Sequence, residues 1–222
     1  ALYLVPTNDN PTTATLDAEE RAALAAAARR HGVRIIEDDA YGQLAEAPLA
    51  PLSRHAPELG WYVASASKII SPALRVAHVR APSVAAALAL ATAVHQTNVM
   101  PPPLNAALVT RWLEDGSYDR LIAETRSEAE ARLAIAADIL PAGSHAAHPC
   151  GYHLWVPLPA GADPGRIAER ARVEGLMAIP ADAFAVDERE ARALRVSLGG
   201  AIDRGMLRSG LEMLAAELAG HG

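Results

Sequence analysis

The chain has 222 residues, of which 51% are hydrophobic and 21% are charged, and its formal net charge is −6 at pH 7. This length can bury the core of one large or two modest domains. The acidic balance argues against nucleic-acid binding by this chain itself, and the most apolar stretch, residues 84–91, is far shorter than the ~20 residues that span a bilayer.

Cysteine usage indicates the compartment. The chain has one cysteine, Cys150, so no disulfide can form within it. This favours a reducing, cytoplasmic location, and Cys150 itself is most simply a small buried hydrophobe. The N-terminus shows no basic region before an apolar core and no cleavage site, so no secretory signal is predicted.

The first half predicts alternating strands and helices. Asp17 and Glu20 form a capping-box pattern that begins a helix, and Gly32 ends it. The predicted strands are continuous apolar runs, which is typical of a parallel sheet covered on both faces. They span residues 2–5, 33–36, 61–66 and 76–79. We therefore expect an α/β fold with a mostly parallel sheet, flanking helices and a ligand site at the carboxyl ends of the strands.

The second half predicts helices followed by a smaller α+β domain. The predicted helices span residues 84–97, 104–114, 118–140, 164–174 and 203–218, and the predicted strands span 152–156, 177–179 and 194–197. We assign residues 1–117 to a partial large domain, 118–140 to a bridging helix and 141–222 to the small domain. The charged residues at positions 119–132 of the bridging helix are interpreted as its solvated face.

Lys68, the only lysine, directly follows the predicted strand 61–66. A lysine amine can lose its proton and attack a carbonyl, which a guanidinium cannot do. Ser65, Ser67 and Arg75 place phosphate donors around it. The alternative is a chance lysine in a loop with ordinary turn serines.

Four further residues are candidates for a role in binding or catalysis. Asn10, Asp38 and Tyr41 follow predicted strands, although each taken alone fits an ordinary turn or a half-buried aromatic. Arg195 lies inside an apolar strand, where a charge is rarely buried unless it is paired. Arg195 therefore requires an anion.

Five short motifs follow one another in a familiar order. They are N-P-T at 10–12, D-x-A-Y at 38–41, S-x-S-K at 65–68, P-x-L-R at 72–75 and L-R-V-S at 194–197. Together they resemble the fold type I pyridoxal phosphate enzymes, specifically the class I and II aminotransferases. The resemblance covers nearly the whole chain and implies pyridoxal 5'-phosphate as cofactor.

The resemblance also implies a role for each matching residue. Lys68 would form the Schiff base with the cofactor and then move the substrate proton. Asp38, chosen over Asp39 by its spacing to the tyrosine, would pair with the ring nitrogen. Tyr41 and Asn10 would hydrogen-bond the ring hydroxyl oxygen.

The remaining matches imply anion-binding roles. Ser65 and Arg75 would hold the cofactor phosphate, assisted by Ser67. Arg195, with Asn10, would bind the carboxylate of an amino acid, or of a related amine substrate. No metal is implied, because the nearby His145, His148 and His153 lack the spacing of a known site.

The chain departs from the family pattern in two ways. Thr13, Ala73 and Ala77 stand where the family usually has glycine, so the loops there are expected to differ. The family's first strands and its ring-stacking aromatic lie upstream of residue 1. We therefore expect a longer protein, with the exposed sheet edge completed by another chain or by pairing of copies in a homodimer.

Two functions fit this resemblance. The segments at 35–42, 152–159 and 195–201 look more like the effector domain of a GntR-class, MocR-type transcriptional regulator, in which DNA would be bound only through a missing N-terminal domain. The alternative is a free-standing aminotransferase that exchanges an amino group between an amino acid and a 2-oxo acid. A third class is a degenerate fold that no longer binds cofactor. No membrane partner is expected.

Overall fold

The chain divides into two compact units. The computed structural model describes residues 1–186 and 192–220. The first unit contains Ala1–Thr7 and Thr15–Thr125, and the second contains Asn8–Ala14 and the described residues from 126 onward. The predicted domain bounds stay a prediction. Within the described ranges, no helix is both long and apolar enough to cross a membrane.

The first unit is built on a sheet with strand order β1-β2-β3-β4. The strands are β1 Leu2–Leu4, β2 Ile35–Asp38, β3 Gly60–Ser65 and β4 Ala77–Arg80. β1, β2 and β3 pair in parallel, and β4 pairs antiparallel to β3. The expected α/β fold with a mostly parallel sheet is confirmed.

Strand β2 extends two residues beyond its predicted end at residue 36. Ile35 and Glu37 are buried on one face, whereas Ile36 and Asp38 are more accessible on the other. Glu37 can be buried because it accepts hydrogen bonds from the backbone amides of Leu52 and Ser53, at 2.7 and 2.8 Å. The strand therefore continues through residues that the apolar pattern excludes.

Five helices belong wholly or partly to the first unit. Asp17 and Glu20 form the predicted capping box of α1, and Gly32 ends that helix at φ 63°. The short α2 was not predicted, because its sequence is too brief to show a helical period. The helices are α1 Ala18–His31, α2 Leu52–His55, α3 Val84–Asn98, α4 Pro103–Asp115 and α5 Ser117–Ile139.

The second unit is a smaller α+β assembly, as expected. Its sheet has strand order β5-β6-β8-β7 with antiparallel pairing throughout. The elements are β5 Ala146–Ala147, β6 His153–Pro157, α6 Pro164–Val173, β7 Ala178–Pro180, β8 Ala193–Ser197 and α7 Arg204–Ala219. One sheet face is fully buried in the hydrophobic core of this unit, through Leu154, Val156, Leu194 and Val196.

One part of the predicted solvated face on α5 is wrong. The Arg132 side chain is only 12% exposed. It donates to the carbonyl oxygens of Leu198 and Ile202, at 2.7 and 2.9 Å, and pairs with Glu128. Arg132 therefore fastens the loop that follows β8 to the long helix, because a guanidinium can satisfy several acceptors at once.

Candidate functional site

Lys68 projects from a tight loop that follows β3. The Ile70 and Ser71 amides both donate to the Ala66 carbonyl, at 2.9 and 3.1 Å, and close the loop on itself. The neighbouring Ile69 is fully buried, and its carbonyl accepts from the Thr125 hydroxyl at 2.8 Å. Lys68 is exposed, so the loop anchors Ile69 and leaves the residue before it, Lys68, accessible.

The predicted phosphate donors lie on the same connection. Ser65 Oγ accepts from the Ser67 amide at 3.1 Å, which leaves the Ser65 hydroxyl proton to donate to an anion. Arg75 is exposed and has a left-handed backbone, with φ 53°. Among the described residues, no hydrogen bond or ion pair engages its guanidinium. Hydroxyl and guanidinium donors of this kind suit a phosphate.

The three consecutive acids of β2 and its end have different environments. Glu37 is buried and binds the start of α2. Asp39 is buried and accepts from the Tyr62 hydroxyl at 2.6 Å and from the Gly42 amide at 3.1 Å. Burial raises the pKa of Tyr62, and the hydrogen bond to Asp39 raises it further. Asp38 is half-buried at the carboxyl end of β2.

Tyr3 is a functional candidate that sequence reasoning missed. Its hydroxyl donates to Asp38 Oδ2 at 2.8 Å. Tyr3 lies opposite Ile36 in the parallel register, and Asp38 follows two residues later, so both point to the same face. Only the strand register could have revealed this contact. Tyr3 therefore fixes one carboxylate oxygen of Asp38.

Tyr41 is buried at the turn after β2 and is 4% exposed. The Leu44 amide donates to its carbonyl at 2.9 Å. Gly42 is required next, because a Cβ there would overlap the Asp39 carboxylate. The turn thus fixes Tyr41 close in sequence and space to Asp38.

Arg195 lies on β8 in the second unit. It is half-buried, and within the described part of the chain its Nε has no hydrogen-bond partner. Successive side chains of a strand alternate between faces, so the buried Leu194 and Val196 leave Arg195 on the opposite face. An unsatisfied buried guanidinium N–H is costly, and a carboxylate is the ligand that fits it.

Asn10 also belongs to the second unit, in the segment Asn8–Ala14. It is exposed in a turn, and the Asn10–Pro11 peptide bond is cis. Thr13, where the family favours glycine, adopts φ 64°. Thr13 therefore adopts the left-handed conformation that favours glycine.

The predicted residues fall into two sets. Six lie at the carboxyl edge of the first-unit sheet or in the turns that follow it: Asp38, Tyr41, Ser65, Ser67, Lys68 and Arg75. Asn10 and Arg195 lie in the second unit. The first set supplies an amine, a carboxylate and phosphate donors, which suits a phosphorylated aldehyde with a basic ring nitrogen. Within the described ranges, no three His, Cys, Asp or Glu side chains are arranged to hold a metal ion.

Comparisons with known proteins find relatives of two kinds, an aminotransferase and a transcriptional regulator. A 2-aminoadipate transaminase of Thermus thermophilus is 31% identical over 229 residues, which cover 99% of this chain and 57% of the relative. An uncharacterized HTH-type transcriptional regulator, YdeF of Bacillus subtilis, is 29% identical over 198 residues, which cover 89% of this chain and 43% of the relative. This chain thus spans about half the length of the curated relatives it matches.

A solved structure gives the same result for the fold. The crystal structure of LysN, an alpha-aminoadipate aminotransferase from Thermus thermophilus complexed with N-(5'-phosphopyridoxyl)-L-leucine, superposes with a TM-score of 0.84 at 29% identity. The superposition covers 99% of this chain and 58% of LysN. The profile of the family described as Aminotransferase class I and II matches residues 3–214. The chain belongs to the class I and II aminotransferase family.

Proposed function

We propose that this chain binds pyridoxal 5'-phosphate at Lys68 and an amino acid carboxylate at Arg195. One observation carries the proposal: the only lysine of a class I and II aminotransferase chain lies exposed on the loop after β3, on the connection that also bears Ser65, Ser67 and Arg75. That arrangement supports covalent attachment of an aldehyde beside a phosphate cradle.

The cofactor, when bound, serves as an electron sink for the bond broken at the substrate α-carbon. Asp38 would keep the ring nitrogen protonated, and Tyr3 orients the Asp38 carboxylate. Tyr41 would donate to the ring hydroxyl oxygen. The Lys68 amine would hold the cofactor before substrate arrives and would afterwards carry the α-proton.

Anions are bound at two places. Ser65, Ser67 and Arg75 would bind the phosphate through hydroxyl and guanidinium donors. In the second unit, Arg195 binds the substrate carboxylate, since its Nε is otherwise unsatisfied within the described residues, and Asn10 assists. The phosphate-binding residues and the carboxylate-binding residues can therefore be tested by separate substitutions.

The test is reduction of the complex with borohydride followed by peptide mass analysis. Absorbance near the visible edge should appear on addition of pyridoxal phosphate, and reduction should fix one cofactor mass on the peptide that contains Lys68. Lys68→Arg keeps the charge but cannot form the bond, so it should give no adduct. A reduced wild-type chain without cofactor mass at Lys68 would contradict the proposal.

We further propose that the chain is the effector domain of a MocR-type transcriptional regulator. The similarity to an HTH-type regulator supports this, and the acidic charge is no objection if DNA is bound by a separate domain. A basic winged helix encoded ahead of residue 1 in the full-length gene is the expected finding.

The alternative is a free-standing aminotransferase, favoured by the similarity to a 2-aminoadipate transaminase. It predicts no DNA-binding domain in the full-length gene and multiple-turnover exchange between an amino acid and a 2-oxo acid. Single-turnover conversion without exchange would favour the regulator.

We also propose a cytoplasmic homodimer. An open apolar cavity of about 410 Å³ on the first-unit sheet, lined in part by Ile36, Trp61 and Val63, supports a covering partner surface. Sedimentation equilibrium should give twice the chain mass. A monomer with full cofactor affinity would contradict the homodimer.

A further inference from the structure

One face of the second-unit sheet carries more of the candidate site than Arg195 alone. His153 pairs with Ser197, and Trp155 pairs with Arg195, in the antiparallel register of β6 and β8. Because side chains alternate along a strand, these four residues share the face opposite the buried core. His153 is the most buried of them, at 1% exposure.

His153 also reaches the segment that carries Asn10. Its Nε2 lies 3.3 Å from the carbonyl oxygen of Asp9, 144 residues earlier in the chain. A carbonyl oxygen only accepts, so Nε2 is the donor and carries the proton. The Asp9 carbonyl also accepts from the Thr13 amide at 2.7 Å. His153 therefore binds the same carbonyl oxygen that closes this turn.

A second close approach lies beside the first. Gly151 packs against the Asn8 side chain so tightly that a Cβ there would come within 2.8 Å of Asn8 Nδ2. Asn8 is fully buried. The residues just before β6 therefore hold the turn on one side while His153 holds it on the other.

We propose that His153 is a positioning residue for the carboxylate ligand, which it serves by tying the Asn10 turn to the strand pair that bears Arg195. The inference rests on the proposed function, because it takes Asn10 and Arg195 as the carboxylate-binding pair. His153 itself touches neither the carboxylate nor the cofactor.

The charge state of His153 suits this role. Burial lowers the pKa of His153, and the nearby Arg195 and His148 lower it further, while the hydrogen bond to Asp9 and the charge of Asp9 oppose them. The imidazole is therefore neutral near pH 7. It donates a hydrogen bond without placing a second positive charge beside Arg195, so the anion-binding site keeps one cation on this face.

The test compares two compounds that differ only by a carboxylate. N-(5'-phosphopyridoxyl)-L-leucine has it, and N-(5'-phosphopyridoxyl)-3-methylbutylamine lacks it. The ratio of their dissociation constants isolates carboxylate binding. We expect the wild-type chain to prefer the first compound and Arg195→Gln to lose the preference.

The variants His153→Asn and His153→Gln form a matched pair. Glutamine can place an amide N–H near the position of Nε2, whereas asparagine is one methylene too short to reach Asp9. We expect H153N to lower the preference for the carboxylate compound about tenfold, the cost of one misplaced hydrogen-bonding group. H153Q should retain it within about twofold, and neither variant should change affinity for the compound without carboxylate.

The outcomes separate the two proposals. No preference in the wild-type chain would contradict the proposed carboxylate role of Arg195 and this inference with it. A preference that R195Q abolishes but H153N leaves intact would overturn this inference alone. If H153N fails to fold, Gly151→Ala decides, because it displaces the same turn through Asn8: a reduced preference supports the inference, and an unchanged one overturns it.

Discussion

Arg75 combines an exposed side chain with a left-handed backbone, at φ 53°. That conformation costs a residue with a Cβ roughly 1–2 kcal/mol, and it costs glycine almost nothing. The side chain proposed to bind phosphate thus occupies a position where the backbone alone favours glycine. Function and stability should conflict at this residue.

Substitutions of Arg75 should expose that conflict. Arg75→Gly is expected to raise the free energy of unfolding of the cofactor-free chain relative to Arg75→Ala by about 1 kcal/mol, which reverses the usual order of alanine and glycine. Both variants should lose affinity for pyridoxal phosphate to a similar extent. Denaturant unfolding and cofactor titration measure the two effects. Equal stability of the two variants would show that the loop relaxes out of the left-handed region.

Sequence reasoning at this scale depends on local motifs. The motif around Lys68 could be found because strand, serines and lysine are contiguous, and the structure presents Lys68 on an anchored loop. The contact of Tyr3 with Asp38 could not, since the two are 35 residues apart and meet only through strand register. The functional roles of Lys68, Asp38 and Tyr3 stay predictions.

Buried charge organises the elements of the first unit. Arg21 on α1 is 2% exposed and donates to the Thr7 hydroxyl at 2.8 Å and the Pro6 carbonyl at 3.1 Å. It also lies 3.9 Å from Glu37 on β2, which caps α2. One ion pair therefore joins two helices, a strand and the chain that follows β1.

Two arginines on the same helix provide a matched comparison. Arg21→Met should lower the free energy of unfolding by roughly 3–5 kcal/mol, because it leaves Glu37 charged and buried without its partner. Arg29→Met removes an ion pair with Glu58 in which both side chains are 52% exposed, and it should cost much less than Arg21→Met because solvent screens the pair. Urea unfolding of both variants tests this. A small effect at Arg21 would mean that water or a shifted side chain compensates Glu37.

The elements themselves were largely predictable, whereas their charged contacts were not. Capping residues and apolar runs gave α1, β3 and α7 within a few residues. Hydrophobic periodicity cannot distinguish Arg21 and Arg132, which are nearly buried, from exposed arginines on the same helices. Long side chains acquire their partners from elements distant in sequence, such as the loop after β8.

At the scale of the whole chain, three histidines of the second unit share the same direction of pKa shift. Burial lowers the pKa of His145, His148 and His153. Each therefore stays neutral in the folded state at pH values where the unfolded chain binds a proton. The stability that they contribute is present above about pH 6.5 and is lost as the pH falls below it.

Lowering the pH from 7.5 to 5.5 should therefore destabilise the chain, by at most about 1.4 kcal/mol per pH unit for each histidine. Glu128 does not contribute in this window, because its hydrogen bonds from Arg204 and Arg132 lower its pKa to about 2, and it is charged in both states above pH 5.5. Chemical denaturation as a function of pH measures the slope, and H153Q should reduce it. Stability that is flat or rises towards pH 5.5 would contradict this account.

The assignment of Asn8–Ala14 to the second unit is the feature that was hardest to predict from the sequence. Alternating strands and helices predicted the α/β sheet, and the later strands and helices predicted the small α+β domain. Nothing in the motif at 10–12 shows that Asn8–Ala14 belongs with residues more than 100 positions later. That assignment depends on packing at Gly151 and His153, which has no local signal.

The placement of Asn8–Ala14 has a consequence for the order of synthesis. A ribosome adds about 5–20 residues per second, so this turn leaves the ribosome many seconds before His153, its partner 144 residues later, exists. The parallel strands β1, β2 and β3 can pair during that interval, but the turn cannot dock. The proposed carboxylate site would therefore be among the last parts of the nascent chain to form, and a ribosome stalled before residue 150 should display residues 8–14 to a protease that the finished chain resists.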